Sequence, residues 1–160
     1  MSRALRATAG AVTVELTQRV RAWVPARAEI TKWAAAAVGR RGARCELAVA
    51  VVGAPQSRAL NARFRGRDRP TNVLSFPAAP QPAGAQVRLL GDLVICPRVL
   101  RAEAARQAKP LRAHWAHLVV HGTLHLLGYD HEADADARRM ERREIAVLRG
   151  LGFANPYRSH

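Results

Sequence analysis

HWAHLVVHGTLHLLGYDH, residues 114–131, is the stretch whose reading decides the fold. From Ala113 to Tyr129 there is no Asp, Glu, Lys or Arg, although Lys and Arg make up 26 of the 160 residues. Histidines stand at 114, 117, 121 and 125, steps of three, four and four that keep side chains near one face of a helix. Trp115, Leu118, Val119, Val120, Leu124, Leu126 and Leu127 make the rest apolar almost all round, so this helix is expected to be buried. Two imidazoles one turn apart in an apolar shell form a clamp for a divalent metal. A third ligand must come from elsewhere, because three on one straight helix cannot surround an ion. Gly128 lets the backbone turn left-handed and double back, which would bring His131 toward a metal held by His121 and His125.

The three candidate ligands fall at offsets 0, 4 and 10 from His121, with the turn glycine at 7. This spacing resembles that of the metzincin zinc peptidases, H-E-x-x-H-x-x-G-x-x-H, except that Gly122 stands where they carry the glutamate base. The cage is kept and the peptidase base is missing. Three neutral nitrogen ligands with an open fourth position suit one Zn²⁺ per chain and point to catalysis. His117 and His114, one and two turns before His121, are read as supporting or packing residues in preference to direct ligands.

Two further blocks accompany this one: NARFRGRDRPTNVLSFP at 61–77 and LLGDLVICP at 89–97. With HGTLHLLGYDH they resemble the bacterial YbeY family of rRNA-maturation endoribonucleases, in the family's order, over roughly residues 45 to 157. The resemblance implies a metal-dependent, single-strand-specific endoribonuclease. It implies action on the 3′ end of small-subunit (16S) ribosomal RNA and in ribosome quality control. Its partners would be ribosomal RNA and the small subunit with its proteins. Arg65, in Arg65-Gly66-Arg67-Asp68, aligns with the family's functional arginine. Near the metal, its guanidinium would grip a phosphate bidentately and offset charge developing there. Asn72 stands where the family often has Asp.

Composition fits a soluble single domain spanning 1–160, with 1–10 and 154–160 expected as flexible ends. The net charge is +14; residues 1–80 hold 14 basic against 4 acidic residues and 81–160 hold 12 against 8. A basic surface concentrated in the first half makes single-stranded RNA the first partner to consider, although heavy Arg and Ala usage would also follow from a biased genome. Cys45 and Cys96, both in apparent strands, read as reduced core residues of a cytoplasmic protein. No signal-peptide or membrane-spanning stretch is expected.

In chain order the patterns predict strands over 12–16, 45–52, 71–76 and 88–96, and helices over 25–38, 55–65, 97–108, 110–127 and 133–149. The fold expected is α/β: a small mixed four-stranded sheet packed with about five helices and a metzincin-like metal site. Strand 88–96 is expected at the sheet's edge beside the cleft. Asp92 on it is left outside the site. Arg63, Arg67 and Arg69 read as solvated loop, and Asp68 as capping its turn rather than holding Arg65 in place. A zinc ion on His121, His125 and His131 would acidify a water or polarise a phosphoryl oxygen, leaving the general base unassigned. Two rivals are a zinc peptidase or amidase, which Gly122 opposes, and a non-catalytic assembly factor with structural zinc.

Overall fold

The apolar alternation of RCELAVAV settles the middle of the sheet. Cys45, Leu47, Val49 and Val51 are buried on one face while Glu46, Ala48 and Ala50 lie half-exposed on the other, the period-two pattern of a strand packed on one side. In the computed structural model, which describes residues 3–40, 44–130 and 132–158, this strand is β3 (Arg44–Val51). The full order is β1 (Arg3–Ala9), β2 (Val12–Gln18), α1 (Arg27–Val38), β3, α2 (Ala54–Arg65), β4 (Val73–Pro77), β5 (Val87–Ile95), α3 (Pro97–Arg106), α4 (Leu111–Leu126) and α5 (Asp134–Gly150). The mixed α/β class and the five helices are those expected.

The sheet has five strands in the order β1-β2-β3-β5-β4, one more than expected. The extra one, β1, falls within the segment 1–10 read as a flexible end; it pairs antiparallel with β2, from Arg3 opposite Gln18 to Ala9 opposite Val12. RALRATA has little apolar alternation, so the pairing partner, the outer edge of β2, supplies what the local pattern lacks. β2, β3 and β5 run parallel, and β4 lies antiparallel outside β5. Residues 88–96 are therefore not at the edge. β4 is the edge strand on this side, β1 on the other, because the chain lays β4 down outside before β5 returns between it and β3.

Val12, Val14 and Leu16 of β2, the inward row of β3, and Leu93 and Ile95 of β5 form one face of the main core. α1 and α4 cover it. Trp115, Val119, Val120 and Leu124 of α4 are completely buried, as an all-round apolar helix requires, and α4 touches α1, α3, α5, β4 and β5. α2 lies on the other face, where its Leu60 packs against the small cluster Val52, Leu74 and Val94. Both cysteines are buried and not disulfide-bonded. Among the described residues, no helix is long and apolar enough to cross a membrane.

Candidate active site

The four histidines of α4 form a ladder along one side of the helix. Successive ring centroids are 6.2, 6.0 and 4.7 Å apart from His114 to His125, each pair steeply inclined. His114 is buried, whereas the side chain of His121 is 23% exposed. The ladder thus runs from the core to an open end, where His121 and His125 stand closest. α4 ends as its sequence requires: Gly128 adopts φ +101°, and the Tyr129 N–H donates to the Leu124 carbonyl at 3.0 Å. The chain turns back there. His131, the third ligand expected, lies outside the described residues.

Behind the open end sits a carboxylate that sequence reasoning missed. Glu144 on α5 is wholly buried. Its Oε1 accepts from His121 Nδ1 at 2.6 Å, and its Oε2 lies 2.9 Å from His117 Nε2 and also accepts from the Tyr157 hydroxyl. Burial alone would push this carboxyl up. The hydrogen bonds from His117 and His121, the charge of His121 and the Tyr157 hydroxyl outweigh it and hold Glu144 down to about 2. An ionised carboxylate only accepts, so His121 donates to it from Nδ1, and in the neutral form of that ring the lone pair is on Nε2. Burial lowers His117 below the usual histidine value despite Glu144, and raises Tyr157, as does its bond to Glu144. A signal for Glu144 was present. Met140, Glu144, Val147 and Leu148 are the buried stripe of α5, and an acid in an apolar stripe needs a partner.

One donor atom each from His117, His121 and Glu144 lies within 4.8 Å of the others, so these three groups could also hold a metal. Imidazoles in an apolar shell backed by a buried carboxylate suit a borderline divalent ion. His121 and His125, with ring centroids 4.7 Å apart, are the closest histidine pair of the ladder.

A second carboxylate braces the buried end. Glu103 of α3 lies 3.0 Å from His114 Nε2 and accepts from Asn72 Nδ2 at 3.1 Å. Burial pushes Glu103 up, but the bonds from His114 and Asn72 bring it below the ordinary glutamate value. Lys109 donates to the Pro156 carbonyl at 2.7 Å, and burial lowers its ammonium. Pro156 and Tyr157, expected as part of a flexible end, thus form a wall of the site.

These groups line one cleft of about 440 Å³, with Val73 and Ser75 of the edge strand on one side and His121, His125 and Arg65 among the lining. Arg65 is the last residue of α2, which Gly66 terminates at φ +69°. The following loop is held to α2 by Asn61 Nδ2 on the Arg69 carbonyl at 2.8 Å, and by Ser57 and Thr71 bonding each other. Asp68 neither caps its turn nor holds Arg65: both its oxygens take Arg58, at 2.8 and 2.9 Å, because the loop folds back over α2. Asp92 lies outside the cleft, in a separate hollow with Arg6, Glu15 and Glu46, since the pleat points it away from α4. Burial and then Glu15 raise its carboxyl.

Gly122 has a packing reason. A Cβ there would lie 2.7 Å from Cδ2 of Leu93, which is itself wholly buried. The helix approaches β5 at this residue, and a side chain would point into the sheet. A catalytic glutamate does not fit at 122 without displacing Leu93.

The class is a mixed α/β domain with a polar cleft lined by histidines and Arg65 and backed by a buried carboxylate. Residues 12–152 match the family model described as Endoribonuclease YbeY, and the chain belongs to that family. A curated Endoribonuclease YbeY from Methylococcus capsulatus is 55% identical over 135 residues, covering 84% of this chain and 88% of that protein. The solution structure of TM1509 from Thermotoga maritima is 22% identical with a TM-score of 0.46, covering 82% of this chain and 88% of that one.

Proposed function

We propose that this chain is a zinc-dependent endoribonuclease specific for single strands. It matures the 3′ end of small-subunit (16S) ribosomal RNA and serves ribosome quality control in the cytoplasm, with the small subunit and its proteins as partners. Family membership supports the RNA hydrolase reading. The observation that carries the site is that His121 and His125 of α4 and Arg65 at the end of α2, far apart in sequence, line the same cleft. One ion would be held by His121, His125 and His131, and when bound it supplies Lewis acidity toward the scissile phosphodiester. Glu144 holds the proton of His121 on Nδ1 and so presents Nε2. Arg65 binds the phosphate as a planar fork and offsets its charge. The Gly122–Leu93 contact speaks against the peptidase alternative.

The test is incubation of zinc-loaded protein with single-stranded RNA beside identically prepared His121→Ala and Arg65→Ala. His121→Ala should lose both zinc and cleavage. Arg65→Ala should keep about one zinc and lose most cleavage, by about tenfold or more, and Arg65→Lys should also be impaired because an ammonium lacks the fork. Stoichiometric zinc in the triple variant His121→Ala, His125→Ala, His131→Ala would overturn the ligand set. Wild-type cleavage by Arg65→Ala would return that arginine to the solvated loop.

A further inference from the structure

We propose that Phe64 is a stacking platform for a nucleobase of the RNA strand in the cleft; this rests on the endoribonuclease reading and deepens it. Among the described residues, four large apolar side chains are exposed, and Phe64, at 55%, is the most exposed of them. Tyr157, another of the four, is anchored through its hydroxyl to Glu144. Phe64 has no such tether.

Its position gives the exposure a direction. Phe64 immediately precedes Arg65, whose side chain lines the cleft. Along β4, Ser75 faces the cleft, while its neighbour Phe76 packs on the opposite face of the sheet. The Phe64 ring meets Phe76 edge-to-face, with centroids 5.0 Å apart and planes at 71°. The edge strand is thus a thin wall with the histidines and Arg65 on one side and the Phe64–Phe76 pair on the other. A strand gripped at a phosphate by Arg65 and leaving over this wall comes next to Phe64.

The surroundings select the occupant. The Arg63 guanidinium lies 5.2 Å from the Phe64 ring centre, and Arg65, Arg67 and Arg69, all exposed, follow it within five residues of chain. The one acid of the loop, Asp68, is engaged by Arg58. Flat apolar surface set among exposed guanidinium groups matches a polymer of flat bases on an anionic backbone, which is single-stranded nucleic acid. A duplex, with its bases stacked internally, has no free face to offer. The contact between Phe64 and Phe76 fixes the ring, so little side-chain freedom is lost on stacking.

The experiment measures binding of a 2′-O-methyl single-stranded oligonucleotide containing 2-aminopurine, over a salt series, to wild type, Phe64→Leu and Phe64→Trp. Leucine keeps apolar cover on Phe76 and removes the π-face; tryptophan restores a larger one. Phe64→Leu should weaken binding by about fivefold or more, abolish quenching of the 2-aminopurine and leave the log–log salt slope unchanged. Phe64→Trp should bind and quench at least as well as wild type. By contrast, Arg67→Ala should flatten the slope by somewhat under one unit. Equal binding by Phe64→Leu and wild type overturns the platform, as does equal loss in the leucine and tryptophan variants or an equal loss on duplex RNA. If wild type neither binds nor cuts single-stranded RNA, the endoribonuclease reading falls with it. If wild type does both while Phe64→Leu is unchanged, only the platform falls.

Discussion

Two carboxylates grip the same helix, and they do different things. Glu103 reaches α4 from α3 and Glu144 from α5, and each binds a histidine nitrogen at about 3 Å. Glu103 takes His114 and Asn72, and its side chain stays 19% exposed. Glu144 takes His117, His121 and Tyr157 and is sealed at 1%. The number of donors and the access of water separate them. Glu103 can exchange a lost partner for solvent, so it acts as a brace between α3, α4 and the start of β4. Glu144 cannot, so every donor on it is fixed by the others, including the ring of His121 at the open end of the ladder. The more exposed carboxylate steadies the fold; the sealed one sets the orientation of a candidate ligand.

The sharpest way to break this contrast is to remove each charge alone. Glu144→Gln, close in shape, should lower zinc affinity about 10- to 100-fold in a competition titration against a chelator, while the fold persists. Glu103→Gln should leave that affinity within about twofold, because its histidine is no candidate ligand and its position is wetter. Equal losses would erase the distinction. A smaller effect is expected at the third donor. Tyr157→Phe removes one hydrogen bond from Glu144 and should cost about 1 kcal/mol, read as a shift in denaturant midpoint with the slope unchanged. An unaltered midpoint would mean that the carboxylate is satisfied by the histidines alone.

The smallest effect concerns acid. Glu103 is held below the ordinary glutamate value in the folded protein, so its extra stability is present above that value and is lost as pH falls through it to the folded one. Glu103→Gln should therefore lower stability near neutrality by that small contribution and flatten the acid limb of a stability–pH curve, the two curves converging in acid. A limb as steep as wild type would show that Glu103 contributes nothing to it.

The sequence by itself determined every element after β1 and one face of the site. The steps between His114, His117, His121 and His125, the charge-free run around them and Gly128 after Leu127 are local patterns, and a helix converts such spacing directly into shared orientation. Alternation in CELAVAVV likewise fixed which face of β3 meets the core. β1 was not legible, because its ladder depends on the edge that β2 offers and RALRATA lacks its own pattern. Nor was Glu144, although its place in the stripe Met140, Glu144, Val147, Leu148 marked it as an acid in need of a partner. Which partner depends on where α5 lands against α4. The same holds for Arg58 capturing Asp68, for β4 taking the edge from β5, and for Leu93 filling the space at Gly122. Periodicity acts within a few residues and survives in the chain alone. Pairings between residues 10 to 31 apart, and the closeness of two backbones, exist only once the sheet and helices have packed, and there the tertiary structure decided.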